Sequence, residues 1–203
     1  MAAVTATKGN LLAAKNSLEL AKNGYELLDK KRVILINEMM RLIDVAGEIQ
    51  SHIDDTFCRA YAALQNANIT EGISEVDKIA SSVSVDDSVS VRFRSVMGVE
   101  IPEVSFEEKT VEPMFGFLGV SMAIDEACQQ FENVRRLTLR LAETETAIYR
   151  LAINIRKTQK RANALKNIII PRYTGMIKEI TVALDEKERE EFSRLKVIKH
   201  KKM

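Results

Sequence analysis

Residues 127–183, ACQQFENVRRLTLRLAETETAIYRLAINIRKTQKRANALKNIIIPRYTGMIKEITVA, carry an apolar side chain at every seventh position: Ala127, Val134, Leu141, Ile148, Ile155, Ala162, Ile169, Met176 and Ala183. One step back, Val120 joins the column. An apolar repeat of seven keeps one seam of a helix facing a partner helix. Sustained over this length, it exceeds what an ordinary globular helix shows. The second seam position reads Ala123, Gln130, Leu137, Thr144, Leu151, Thr158, Leu165, Arg172, Glu179. It turns polar at its end, so the seam is expected to thin to a single column near the C-terminus.

The partner lies at the other end of the chain. Leu11, Ala14, Leu18, Ala21, Tyr25, Leu28, Arg32, Leu35, Met39, Leu42, Ala46, Ile49, Ile53, Thr56, Ala60 and Ala63 form a second heptad seam, broken only by Arg32 and Thr56. No proline interrupts it. Gly24 and Gly47 each cost roughly 1 kcal/mol against alanine, which a helix of this length tolerates. One helix is expected over 8–66, about 85 Å long.

Between the helices the pattern changes. Gly72 interrupts the heptads, and Ile73 to Ser81 reads as a short helix. From Ser82 to Val96 apolar and polar residues alternate, the signature of a strand. Val89, Val91 and Phe93 share one face, and Ser90, Arg92 and Arg94 the other. Met97-Gly98 is a turn, and Val99 to Phe106 alternates again with Pro102 at an edge. Glu112-Pro113 opens a loop, and Phe115 to Gly119 is an apolar connection. The second helix starts near Ser121 and carries Pro171 inside it, where a kink is expected.

The fold class that follows is mainly α: a long antiparallel two-helix left-handed coiled coil with a small inserted β-hairpin at the turn end. Its parts are an N-terminal helix over 1–66, an insert over 67–119 and a C-terminal helix over 120–203. The simplest closure pairs residues whose numbers add up to roughly 187. In that register Thr56 faces Gln130, and Arg32 faces Ile155 with Asn154 alongside. Arg32, Thr56 and Gln130 are then the register-setting breaks in the seam. Leu11 would lie near Met176, leaving the last twenty or so residues to overhang as a single helix.

Composition agrees with long helices. Of 203 residues, 46% are hydrophobic but only 5% aromatic, and 29% are charged. The net charge is +1, which argues for neither nucleic acid nor an anionic membrane surface as a partner. The opening Met1-Ala-Ala-Val-Thr lacks the basic head and apolar core of a secretory signal. The apolar run Ile168-Ile169-Ile170 ends at Pro171, far short of a membrane span. Cys58 and Cys128 have no metal-ligand spacing and read as two reduced thiols in preference to a disulfide.

Catalytic patterns are missing from the sequence. There is no phosphate-binding glycine loop, G-x-S-x-G, C-x-x-C or H-E-x-x-H. His52 reads as a helix-surface residue. Glu107-Glu108 and Glu143/Glu145 read as solvated carboxylates, and Asp185 to Glu191 as a salt-bridged surface. Met39-Met40 fits a core seam. No catalytic residue, cofactor site or metal site is expected.

Four segments, in order, resemble one family. The first is Thr7-Lys8-x-Asn10-Leu11, continuing through Lys15, Leu18, Leu20-Ala21, Gly24 and Leu27-Leu28 to Lys31-Arg32. The second is Met97-Gly98-Val99-x-Ile101-Pro102. The third is Gly119 to Ala127 with Asp125. The fourth is Arg161-x-Asn163-Ala164-Leu165, Ile170-Pro171 and Glu188-Arg189-Glu190-x-Phe192-x-Arg194-Leu195-Lys196. Together they cover nearly the whole chain and resemble the D subunit of the V-type (A/V-type) ATPases, the central rotor shaft. Ala6, Val33 and Lys166 depart from the family's usual proline, acidic residue and glutamate at those places.

The resemblance implies a non-catalytic shaft coupling ATP hydrolysis or synthesis to H+ or Na+ translocation. It implies a peripheral position on the cytoplasmic side of the membrane, without membrane insertion and without nucleic acid. The implied partners are the A and B subunits of the catalytic hexamer, the F subunit on the side of the shaft, and the C subunit (d in eukaryotes) joining it to the ring. The hexamer bearing is expected at Lys8, Lys15, Arg172, Met176, Lys187, Arg189, Arg194 and Lys196. The F subunit is expected at Val89, Val91, Phe93 and Val96, where a strand edge is open to pairing. A free-standing coiled-coil scaffold or prefoldin-like chaperone subunit is the alternative.

Overall fold

The computed structural model describes residues 5–82, 89–105 and 121–201. The readings on Glu107-Glu108, Glu112-Pro113, Phe115 to Gly119 and Val120 lie outside those residues. The elements in chain order are α1 (Lys8–Glu71), α2 (Ile73–Ser82), β1 (Ser90–Val96), β2 (Val99–Ser105), α3 (Met122–Ala164) and α4 (Ile170–Lys201). A single π-helical turn, Leu165–Ile169, joins α3 to α4. The architecture is a helical hairpin with a two-stranded antiparallel sheet inserted in its connection. Two compact units divide it: Met1–Val33 with Ile155–Met203, and Ile34–Asn154. Both long helices contribute to each.

Local chemistry sets the boundaries. Thr7 caps α1, its hydroxyl accepting the backbone N–H of Asn10 at 3.2 Å. Gly72 ends α1 with φ of 88°, a left-handed conformation that glycine adopts without a Cβ penalty. The strands are joined by Met97-Gly98, whose φ values of 50° and 75° are both positive, as the tightest hairpin turns demand. Pro102 pairs with Phe93 inside β2. It is tolerated there although it lacks an N–H, because a two-stranded ladder leaves alternate positions unbonded.

The α1 seam is as the heptads require. Every seam position from Leu11 to Ala63 is buried or half-buried, with Leu35 and Ala60 fully inaccessible. Met40 is the exception to the reading of Met39-Met40 as core: Met39 is half-buried, but Met40 is 51% exposed, because it sits one residue past the seam. On α3, Ala127, Val134, Thr144, Leu151, Thr158 and Ala162 are buried.

Two expectations about the seam are corrected. The first is the register. In the unit holding both chain ends, Arg32 donates from Nη1 to Gln159 Oε1 at 2.7 Å, not to a group beside Ile155. Lys166 lies over the Tyr25 ring, 5.8 Å from its centre. In the other unit, Phe131 meets Tyr61 edge to face at 5.8 Å between ring centres, which places Gln130 near Tyr61 rather than Thr56. The true register is displaced by about four residues, close to one helical turn. Thr56 satisfies its hydroxyl within α1, on the carbonyl of His52 at 2.8 Å. Asn154 likewise bonds the Arg150 carbonyl of its own helix.

The second correction is larger. The seam does not thin after Leu165, because it shifts by one residue. The Ile170 N–H bonds to the Leu165 carbonyl, a reach of five residues that adds one residue to the turn. Beyond it the second seam column is Tyr173 and Ile180, not Arg172 and Glu179. Ile180 is only 3% exposed and Tyr173 is half-buried, whereas Arg172 and Glu179 are exposed. Pro171 supplies the reason: its ring crowds the carbonyl of Asn167 in an α-helix, and a widened turn just before it relieves that contact. The paired length is therefore greater than expected. Lys8 Nζ reaches Glu188 at 3.0 Å, and Lys187 Nζ donates to the Ala6 carbonyl at 3.4 Å. On α4, among the described residues, only those after Glu188 are left without a helical partner, and they are all exposed.

Truncating Leu151 or Leu35, both wholly buried, to alanine should cost about 2–5 kcal/mol in urea unfolding. Deleting Ile168, which is 65% exposed, should turn the π turn into α-helix and bring Tyr173 and Ile180 into the regular heptad frame. Pro171 would then sit in a regular turn against the carbonyl four residues before it, so stability should fall by about 3 kcal/mol. Combining the deletion with Pro171→Ala should bring stability back to within about 1 kcal/mol of the parent, and a persistent loss of several kcal/mol there would mean that the turn does not act as a one-residue insertion.

Candidate functional site

Among the described residues a cleft of about 110 Å³ lies beneath the β-hairpin and is lined by Leu42, Arg94, Ile101, Pro102, Glu103, Glu143, Thr144 and Ala147. That volume is too small for a nucleotide. Glu143 faces this cleft while Glu145 is exposed on the helix surface, so the two do not converge on a common point. His52 is exposed. Cys58 is exposed and Cys128 half-buried, and both are free thiols. Burial, with the nearby Asp125 carboxylate, pushes the Cys128 thiol up from its ordinary value and keeps it protonated.

The hairpin lies back along the helices instead of standing clear of them. β2 supplies the buried side, with Val99 and Ile101 each 3% exposed and Pro102 buried. Two arginines pin it. Arg94 of β1 reaches Glu38 of α1 at 3.3 Å, and Glu38 also holds Arg41 at 2.9 Å. The Arg41 hydrogen bond, then the charges of both arginines, hold the Glu38 carboxyl below the usual carboxylate range against a modest desolvation cost. On α3, Arg150 donates to the Glu100 carbonyl at 3.2 Å and stacks its guanidinium over Phe93 at 5.1 Å.

β1 is thereby held outward. Its outer edge has no partner strand among the described residues. Of the residues expected to meet a partner there, Val89 is 37% exposed, Val91 53% and Phe93 58%. Val91 and Phe93 share a face with Val104 and Pro102 across the ladder. Val96 is half-buried and lies on the other face, with Arg94.

The residues expected at the hexamer bearing separate into two groups. Arg189, Arg194 and Lys196 lie on the unpartnered end of α4. There, Arg194 makes only a loose 3.7 Å contact with Glu190. Lys8 and Lys187 are used within the helix pair, as above. Lys15 and Arg172 are exposed, and Met176 is half-buried in the seam. The Lys8–Glu188 pair is well exposed on both sides and contributes little to stability; the Glu188 carboxylate still raises the Lys8 pKa.

Of the three residues expected to set the register, Arg32 alone makes a bond across the seam among the described residues. It joins Asp29 (Nη2 to Oδ1, 2.7 Å) to Gln159, which in turn approaches Asn163 at 3.4 Å. Gln159, Glu38 and Arg150 carry no signal in the sequence. Each sits among other polar helix residues, and its role depends on the register and on where the hairpin lies.

Neutralising Glu38 should loosen the hairpin. Because its carboxyl is depressed in the fold, its contribution is fully present above the unfolded carboxylate pKa and is lost as pH falls through the lower folded value. Glu38→Gln should cost about 0.5–1 kcal/mol near pH 7 and speed amide exchange in β1 and β2, and the difference from the parent should vanish in strong acid.

Comparison with known proteins accounts for this arrangement. Residues 10–200 match the ATP synthase D-subunit family. The D subunit of the V-type ATP synthase of Thermotoga neapolitana is 41% identical over 98% of both chains. The A-type ATP synthase D subunits of Pyrococcus furiosus and Thermococcus kodakarensis are each 39% identical over 97% of this chain and 93% of theirs. The chain, a helical hairpin with a β-hairpin folded against its flank, belongs to the ATP synthase D-subunit family.

Proposed function

We propose that this chain is the central-stalk rotor subunit of a V/A-type rotary ATPase or ATP synthase. It transmits torque between an A/B catalytic hexamer and an ion-carrying membrane ring. The observation that carries this reading is the match to D-subunit relatives over nearly the full length, on a chain whose two long helices hold each other in each of its compact units. A shaft must resist twisting, and two helices interlocked at every turn resist it better than one. The free-standing scaffold or prefoldin-like alternative is not favoured by that family.

The role is non-catalytic. The chain supplies stiffness and docking faces, while nucleotide chemistry belongs to the A and B subunits. The hexamer takes the end where the two termini meet, with Arg189, Arg194 and Lys196 on its single-helix tip and Lys8, Lys15, Arg172, Met176 and Lys187 behind them. The F subunit takes the outward side of the β-hairpin at Val89, Val91 and Phe93, where an open strand edge and one apolar face are offered together. The C (or d) subunit takes the part of the other unit where exposed Ile69, Ile73 and Met122 flank the insert. The position is peripheral, on the cytoplasmic side; no helix among the described residues is long and apolar enough to cross a membrane.

Affinity-tagged chain expressed with its own A, B and F subunits should bring down all three. The A/B hexamer prepared without it should still bind nucleotide but should not drive ion transport in reconstituted vesicles. Ion-coupled turnover that persisted undiminished without the chain would contradict the assignment.

A further inference from the structure

The two edges of the β-hairpin are unequal. The two-residue turn Met97-Gly98 makes Val96 and Val99 a hydrogen-bonded pair, and bonded pairs then alternate along the ladder. Ser90, Arg92, Arg94 and Val96 therefore turn their backbone N–H and C=O groups toward β2. Val91, Phe93 and Ser95 turn theirs away from it. On β2 the outward groups belong to Glu100, Pro102 and Val104.

The β2 edge is closed. The Glu100 carbonyl accepts a hydrogen bond from Arg150 at 3.2 Å, and Pro102 has no N–H to give. The β1 edge has neither block. Among the described residues no strand pairs with it, and Ser90 through Ser95 are all exposed.

An open edge of this kind invites a second copy of itself. This one resists it. In an antiparallel self-pairing centred on Phe93, Arg92 lies opposite Arg94 in both halves of the pair. The next in-phase registers on either side set Arg92 or Arg94 opposite its own copy. Like charges directly opposite destabilise a strand pair. The same charges suit a strand that carries carboxylates. Arg94 is already held by Glu38 at 3.3 Å, whereas Arg92 makes no ion pair among the described residues, although Glu103 lies opposite it in the ladder.

Resting on the placement of the F subunit at this side of the hairpin, we propose that β1 takes an extended acidic segment of that subunit as the third strand of the sheet. The segment exchanges backbone hydrogen bonds with Val91, Phe93 and Ser95. It sets a carboxylate opposite Arg92 and apolar side chains beside Val91 and Phe93. Backbone bonds supply the attachment, while Arg92 selects the acidic partner and rejects a second copy.

Amide exchange of the full chain, alone and with purified F subunit, reads each of these backbone groups. In the free chain the Arg92 and Arg94 amides should be protected, and those of Val91, Phe93 and Ser95 should exchange freely. Saturating F subunit should slow those three by at least about tenfold. Val91→Pro removes one outward N–H and leaves the ladder intact, as Pro102 does in β2. It should keep the melting temperature and weaken F binding by about tenfold. Arg92→Glu should weaken binding by a similar factor at low salt and by less at high salt, and Arg92→Lys should bind like the parent.

F subunit bound while Val91, Phe93 and Ser95 still exchange freely would overturn the third strand and leave the shaft reading standing. So would undiminished binding by both Val91→Pro and Arg92→Glu. Protection of the three amides in the free chain would also overturn it, because the edge would already be covered. Failure of the parent chain to bind the F subunit would overturn the reading on which the inference rests, and the inference with it.

Discussion

Two helices stay paired only if each keeps an apolar side chain on the shared face at every turn. This constraint governs nearly everything else in the structure. An α-helix has 3.6 residues per turn and the sequence repeat implies 3.5, so a long pair must supercoil or adjust its frame. The chain does the second at one place. Pro171 cannot sit comfortably in an α-helix with a normal turn before it, and the π turn at Leu165–Ile169 inserts one residue there. That insertion replaces Arg172 and Glu179 with Tyr173 and Ile180 at the seam. A proline expected only to kink the helix is accommodated so that pairing continues beyond it.

Apolar contacts stabilise the pair but select its register only weakly, since alanine and leucine recur at every turn. The polar layer around Arg32 is more selective. Its guanidinium holds Asp29 on its own helix and Gln159 on the other, while its Nε is buried without a partner. Such a layer costs stability relative to an all-apolar seam, and one misplaced turn would strand the charge. The β-hairpin depends on the same pairing in its own unit. Its cleft is built from Leu42 on α1 and from Thr144 and Ala147 on α3, and its two arginine clamps reach one helix each.

The heptads made most of this legible in the sequence. The seam from Leu11 to Ala63, the column from Ala127 to Ala183, the short second helix and the hairpin turn at Met97-Gly98 all follow from local pattern. The frame shift was hidden by a property of the sequence itself. Ile169-Ile170, Met176-Ile177 and Ala183-Leu184 are adjacent apolar pairs, so that column looks unbroken with or without an inserted residue. Only the Arg172/Tyr173 and Glu179/Ile180 pairs distinguish the two frames, and there the polar member can be mistaken for the end of a seam. The register was hidden because Arg32 has a long side chain, and amides at both 154 and 159 are plausible partners. The docking of the hairpin depends on single arginines whose partners lie far away in sequence.

For a shaft of this family the consequence is mechanical. A seam that ended near Leu165 would leave a long single helix to carry torque. A seam that continues to Glu188 leaves only the last turns unpaired. Zero-length carbodiimide coupling of the unmodified protein tests this directly, because it joins a lysine only to a carboxylate already touching it. Mass spectrometry should find Lys8 joined to Glu188, which it contacts at 3.0 Å. Lys8 joined to Glu179 instead, with no product at Glu188, would mean the register in which paired numbers add up to about 187 and a longer overhanging end, and would contradict the account.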